Sequence, residues 1–365
     1  MSDAHTQTHA QTLHPAFGER EDVVVFFSAN ARYVPVMSCV LQSLCENASA
    51  ARRYDIIVLC KDIPAEAQEI LRAQVAIDNI ALQFFDFTPF MERVAGLRQF
   101  GHFRIETYFR LLIPELAPWC KKAVYLDADI TVNRDIAELF DTDVDGYLIA
   151  AAHDPDTAGQ YCGFDPTRRA FMNKYMPQVK PETYFQAGVL LMNLEAFRAT
   201  YRSEEMLQLA ASQEWPLLDQ DVLNCLCAGR VRYVNMAWNT LIDWQRLRRT
   251  YIIAEAPAEL RIAYDLARTQ PYIIHYAGPE NKPWEFGDVD MGEYFWKYAQ
   301  YCPYYAELLN MQEESRRTAS RRTRRISDFW KYRLIVPLAG VFAPPGSPLR
   351  DLGYWVYRQL NTQGY

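Results

Sequence analysis

The chain has 365 residues, half of them hydrophobic, with 14% aromatic and 23% charged. That balance excludes a disordered chain, a collagen-like repeat and a coiled-coil rod. The net charge of −7 hides an asymmetry: Asn310 to Tyr365 carries ten Lys/Arg against four Asp/Glu, a net +6 that leaves −13 on the remainder, so an acidic body that does not suit nucleic acid is joined to a basic end.

In chain order, the apolar runs 23–28, 56–60 and 80–87 read as strands, separated by helical segments at 34–46 and 64–75, the second opening at Pro64. This β-α-β-α-β rhythm predicts an α/β fold with a mostly parallel, Rossmann-like central sheet covered by helices on both faces. A long helix is expected over 103–113, then strands at 123–127, 147–152 and 185–193, helices at 195–212 and 219–228, a strand at 271–275 and a helix at 293–311. Three parts follow: a polar tail (1–20), an α/β body (21–311) and a basic, aromatic extension (312–365) with four breakers, Pro337, Pro344, Pro345 and Pro348. In a parallel sheet ligands sit beyond the carboxyl ends of the strands, which directs attention to the turns after Ser28 and Leu126.

Eight scattered cysteines form no C-x-x-C pair and read as free thiols of a reducing compartment. No run reaches the roughly 18 apolar residues of a spanning helix, and the polar start lacks a signal-like apolar core, so a cytoplasmic protein is expected.

The chemistry concentrates in a few places. Asp127-Ala128-Asp129 follows the apolar strand Ala123-Val-Tyr-Leu; in extended backbone the two carboxylates face the same way, and two hard oxygen ligands suit Mg²⁺ or Mn²⁺ on a diphosphate. Alone, Asp-x-Asp equally caps a turn. His275 ends the apolar run Ile273-Ile274 and leads into Gly278 and Lys282. Its imidazole would complete the ligand set and favour Mn²⁺, whereas in isolation it reads as a buried, hydrogen-bonded histidine. Asp219-Gln220-Asp221 by itself is an acidic first helical turn complementing the helix dipole.

Together the segments Phe26 to Tyr33, Thr107 to Leu111, Tyr125 to Asp129, Tyr184 to Leu194, Leu218 to Asn224 and His275 to Trp284 stand in an order that resembles glycosyltransferase family 8 over about residues 23–310. The resemblance implies a GT-A fold and a retaining transfer of galactose or glucose from a UDP-sugar donor to a glycan or lipid-linked glycan acceptor, such as lipopolysaccharide or lipooligosaccharide. It implies Mn²⁺, with Mg²⁺ as substitute, on Asp127, Asp129 and His275. It assigns Tyr33 to stacking on uracil, Ala29 and Asn30 to base and ribose, Gly278 and Lys282 to the diphosphate, Arg110 to the diphosphate and sugar, and Ala128 to donor binding. Asp154, Gln186, Asp219 and Gln220 fall to the donor sugar, Asp219 and Gln220 being the catalytic pair. Asn30 stands where the family more often has Asp, and Gln186 where it usually has Asn. A side-chain amide is a poor nucleophile, so Gln220 fits a front-face displacement better than a covalent intermediate.

Two other classes compete. Leu126-Asp127-Ala128-Asp129-Ile130-Thr131 also matches the nucleophile motif of haloacid dehalogenase-type phosphatases, with Asp127 as nucleophile, but three strand-like runs precede it and the later acidic pair of that fold is missing. A non-catalytic sugar-nucleotide-binding protein is the second; retention of Asp127, Asp129, His275, Asp219, Gln220 and Lys282 argues against it. Six arginines between 316 and 325, followed by aromatics up to Tyr357, fit docking on an anionic membrane surface. The protein would then lie peripherally on the inner face of the cytoplasmic membrane.

Overall fold

The computed structural model describes residues 13–18, 22–99, 105–243, 247–278 and 282–321. The N-terminal residues up to 12, Pro279 to Asn281, and the aromatic extension from residue 322 onward lie outside the described residues.

Among the described residues seven strands form the main sheet, ordered β3 (Ile80–Asp86), β2 (Tyr54–Cys60), β1 (Val23–Ser28), β4 (Lys122–Leu126), β7 (Phe185–Asn193), β6 (Ile149–His153) and β8 (Val231–Tyr233). β3, β2, β1 and β4 pair in parallel, and β7 runs antiparallel to both β4 and β6. The sheet is therefore mostly parallel, as expected, with one reversed strand. In β1, Val24 and Phe26 belong to one apolar cluster and Val23, Val25 and Phe27 to another. Burial on both faces explains why the strand is an unbroken run of apolar residues without alternation.

The helix Val34–Asn47, with a proline in its first turn, packs Val40, Leu41 and Leu44 toward the sheet and Val36 and Cys39 toward the C-terminal helices. A second sheet of three strands joins β5 (Ile130–Val132), β10 (Ile273–His275) and β9 (Thr240–Leu241). β10 pairs antiparallel with β5 so that His275 faces Ile130. This pairing brings the end of the α/β body back to the Asp127–Asp129 turn.

Four expectations change. The segment 103–113 is no long α-helix: Ile105–Leu112 is a 3₁₀ run followed by the short helix Ile113–Leu116. Nearly all its side chains are buried, and the Thr107 carbonyl accepts from Arg110 Nε at 3.0 Å, so tertiary contacts override helix preference. The helix expected over 195–212 is two, Leu194–Thr200 and Ser203–Ala211, separated by the extended Tyr201, whose hydroxyl donates to the Leu226 carbonyl at 2.8 Å. The helix expected over 293–311 also divides, into Gly292–Ala299 and Tyr305–Arg321, because Pro303 has no N–H and crowds the preceding turn. The second of these continues across residue 311. Asp127 to Asp129 occupy the bend between β4 and β5, outside any strand.

All eight cysteines are free. No helix among the described residues is long and apolar enough to cross a membrane.

Candidate active site

The site forms where β1, β4 and β10 end and β7 begins. Asp127 follows β4, and its N–H donates to the Gly188 carbonyl on β7 at 2.8 Å. Asp129 is tied by its carbonyl to the Tyr276 N–H, just past β10, at 2.9 Å. The antiparallel neighbours of the bend thus aim both carboxylates and the His275 ring at one point. His275 Nε2 is 3.2 Å from Asp129 Oδ1 and 3.7 Å from Asp127 Oδ2, and one ligand atom from each residue lies within 4.8 Å of the others.

Each carboxylate gives its other oxygen to a different buried cation. Asp127 Oδ1 accepts from Arg110 Nη2 at 2.7 Å, and Asp129 Oδ2 accepts from Lys282 Nζ. Burial raises the Asp129 carboxyl's affinity for a proton, but the Lys282 ammonium, the largest opposing charge, outweighs it and helps hold the group well below the ordinary carboxylate range. Burial likewise opposes the Lys282 charge, and Asp129 more than restores it. Lys282 Nζ also donates to the Tyr276 carbonyl at 2.7 Å.

The His275 ring is set from behind. Its Nδ1 lies 3.0 Å from Asn239 Oδ1, and the Asn239 amide in turn donates to Gln186 Oε1. With the amide so oriented, Nδ1 carries the proton and the Nε2 lone pair points at two carboxylate oxygens. Two hard oxygens and one imidazole nitrogen are the donor set that a divalent ion of the Mn²⁺ type accepts.

Arg110 anchors the adjoining wall. It is 3% exposed, its guanidinium stacks 4.0 Å from the Tyr125 ring centre, and its Nη1 donates to the Ala187 carbonyl at 2.6 Å. Its Nε stands 3.0 Å from Asp219 Oδ2 yet donates to the Thr107 carbonyl. Asp219 Oδ1 accepts from the Thr107 hydroxyl, which leaves Oδ2 buried without a hydrogen bond among the described residues. Burial pushes Asp219 up to about 6, against the pull of Arg110 and Thr107. Ion-paired to Arg110 but without a hydrogen bond, this buried oxygen keeps lone pairs free to accept from a hydroxyl.

Gln220 is held at both ends of its amide: Oε1 accepts from the Ala187 N–H at 2.9 Å and Nε2 donates to Asp154 Oδ2 at 2.9 Å. Asp154 also caps the helix Pro155–Gly159, accepting from the Asp156 and Thr157 amides, each at 3.0 Å. Gln186 is turned inward, accepting from the Gly188 amide and Asn239. Asp221 lies apart from this group, paired with Arg168 and bonded by the Tyr184 hydroxyl at 2.6 Å. Leu218, just before Asp219, has φ of 46°, a left-handed conformation costly for a branched residue and sustained only by its surroundings.

On the β1 side, Ala29 is buried, and Asn30 Oδ1 is buried without a partner among the described residues. The Tyr33 ring meets Trp284 edge to face at 6.3 Å. Ala128 is buried beside the bend. Gly278 has φ of 107°, which only glycine adopts without strain.

Direct contacts thus link Asp127, Asp129, His275, Arg110, Lys282, Asp219, Gln186, Gln220 and Asp154, some through Asn239 or Ala187. Sequence reasoning missed Gly188, Asn239 and Thr107. Gly188 stands inside a quoted motif, but its steric role depends on β7 passing beside His275; a β-carbon there would lie 2.7 Å from His275 Nδ1. Asn239 carries no local signal at all.

The family description "Glycosyl transferase family 8" matches residues 24–287. General stress protein A of Bacillus subtilis is 26% identical over 268 residues, covering 70% of this chain and 85% of its own. The lipopolysaccharide 1,3-galactosyltransferase of Salmonella typhimurium is 25% identical over 252 residues, covering 67% of this chain and 69% of its own. The apo structure of the WbbM bifunctional glycosyltransferase superposes with a TM-score of 0.74 at 26% identity, over 83% of this chain, which spans 54% of that protein.

Proposed function

The chain belongs to glycosyltransferase family 8 and is a GT-A-fold glycosyltransferase, and from this we propose that it transfers galactose or glucose from a UDP-sugar to an envelope glycan with retention at the anomeric carbon. The observation that carries the reading is the convergence of His275 Nε2, Asp127 Oδ2 and Asp129 Oδ1 behind a tautomer fixed by Asn239. We assign these three residues to Mn²⁺, with Mg²⁺ as substitute. Bound there, the ion would neutralise charge on the donor diphosphate and on the departing UDP.

The chain's own residues supply the rest. Lys282 adds a point charge on the phosphate side, and Gly278 allows close backbone approach. Tyr33, Ala29 and Asn30 take the uridine, the free Asn30 Oδ1 serving as an acceptor for it. Arg110 fixes Asp127 and Asp219 together, and Asp219 Oδ2 accepts a donor-sugar hydroxyl. Asp154 and Gln186 hold Gln220 and Asn239 in place along the sugar side. The Gln220 amide is held by the Ala187 N–H and Asp154; its oxygen keeps one lone pair toward the anomeric centre but is a poor nucleophile, so we read the transfer as a front-face displacement. The family membership leaves no role for Asp127 as a phosphatase nucleophile or for a non-catalytic pocket.

The lipopolysaccharide galactosyltransferase among the relatives supports an envelope glycan as acceptor. We take residues 21–311, with the helix that runs on to Arg321, as the transferase unit and the residues beyond as a dock on an anionic membrane surface, consistent with a cytoplasmic, peripheral enzyme. Removing 322–365 should lower co-sedimentation with anionic vesicles; unchanged sedimentation would end that part.

The test is UDP release across a panel of UDP-sugars, with Mn²⁺ or chelator, on wild type and Asp129→Ala. Metal-dependent turnover of one donor, absent from the variant, is expected. Turnover that ignores both chelator and Asp129→Ala would sink the assignment.

A further inference from the structure

We propose that Gln312 is a positioning residue for Lys282, so that a helix lying beyond the family-matched region completes the phosphate side of the site. The match ends at residue 287, whereas Gln312 sits on the helix Tyr305–Arg321. That helix is anchored by Leu308, fully buried in the cluster that contains Trp284, Tyr276 and Phe295. From this seat Gln312 Nε2 donates to the Pro283 carbonyl at 3.0 Å and reaches the Phe286 carbonyl at 3.4 Å.

Those carbonyls belong to the turn that carries Lys282. The Glu285 and Phe286 N–H groups both donate to the Lys282 carbonyl at 2.9 Å, so the turn moves as one piece and Lys282 with it. Trp284 packs the turn into the buried cluster, and the Gln312 bonds tie its carbonyls to the helix. An open surface pocket of about 320 Å³, lined by Pro283, Phe286, Gly287, Val289 and Trp296, lies against the same turn. Loss of the Gln312 bonds leaves that face of the turn without its tie to the helix. Arg316, one helical turn on, approaches so closely that a β-carbon on Gly287 would stand 2.7 Å from its Nη2.

The inference rests on the reading of Lys282 as a diphosphate contact, and the experiment separates the two. UDP affinity in the presence of Mn²⁺ is measured by calorimetry for wild type, Lys282→Ala, Gln312→Ala and the double variant, with Gln312→Glu as a second probe that keeps the shape and loses the donor. Gln312→Ala and Gln312→Glu are expected to weaken UDP about three- to ten-fold, the worth of a lost hydrogen-bond pair. Neither change should weaken UDP further once Lys282 is alanine. Wild-type affinity in both Gln312 variants, or an equal loss in the Lys282→Ala background, would overturn the positioning role. Undiminished UDP affinity in Lys282→Ala would overturn the phosphate reading, and the proposal with it.

Discussion

Gly188 on β7 and His275 on β10 approach so closely that no side chain fits between them. A β-carbon at Gly188 would stand 2.7 Å from His275 Nδ1, closer still to its Cε1, and 2.8 Å from Asp127 Oδ2. Glycine here is a steric requirement of the ligand set; the strand itself has ordinary backbone.

Gly188→Ala should therefore push His275 off its line toward the carboxylates. We expect loss of stability of about 1–3 kcal/mol, typical of overpacking, and at least about ten-fold weaker Mn²⁺ binding. Titration of Mn²⁺ followed by electron paramagnetic resonance reads the second effect. Unchanged metal affinity would show that the ring tolerates the displacement.

Asn239 accepts from His275 Nδ1 at 3.0 Å and so chooses the tautomer. Asn239→Leu removes the acceptor, and metal affinity should fall about 10- to 100-fold, as for other outer-shell partners of a metal-bound histidine. Asn239→Asp keeps an acceptor at Nδ1 and should fall less. Equal losses in the two variants would contradict the tautomer argument.

Asp219 is pushed up from 3.8 to about 6, chiefly by burial. Folding then favours its protonated form, so its contribution to stability is complete below about pH 4 and disappears as pH rises through about 6, a change on the order of 3 kcal/mol. Denaturant unfolding in chelator, at pH values between about 4 and 7, should show a downward slope in wild type that is flattened in Asp219→Asn. Parallel slopes in the two proteins would locate the effect elsewhere.

Arg32 and Glu285 meet at 3.4 Å, joining the segment that bears Tyr33 to the turn that bears Lys282, although Arg32 is 71% exposed. An exposed pair is worth at most about 1 kcal/mol, so neutralising either charge should raise the donor KM no more than about five-fold, with kcat little changed. The charge swap R32E with E285R should recover most of it at low salt. A loss in the swap as large as the two single losses combined would exclude a latch.

Much of the fold was legible in the chain because strands buried on both faces must be apolar throughout. β1, β3 and β7 fall within a residue of where the runs 23–28, 80–87 and 185–193 put them. The helix ends were less legible, since Tyr201 and Pro303 break continuous helical patterns, one through a distant carbonyl and the other through its missing N–H.

The sequence by itself determined the donor types: Asp127, Asp129 and His275 stand at or just after the ends of apolar strands, where two carboxylates and an imidazole can meet. Only the tertiary structure decided what holds them. Gly188, Asn239, Thr107 and Gln312 act through proximity created by antiparallel pairing of β7 with β4, by β10 folding back on β5, and by the last helix docking on the Lys282 turn. Such contacts depend on which strands become neighbours, and no local spacing of residues encodes that.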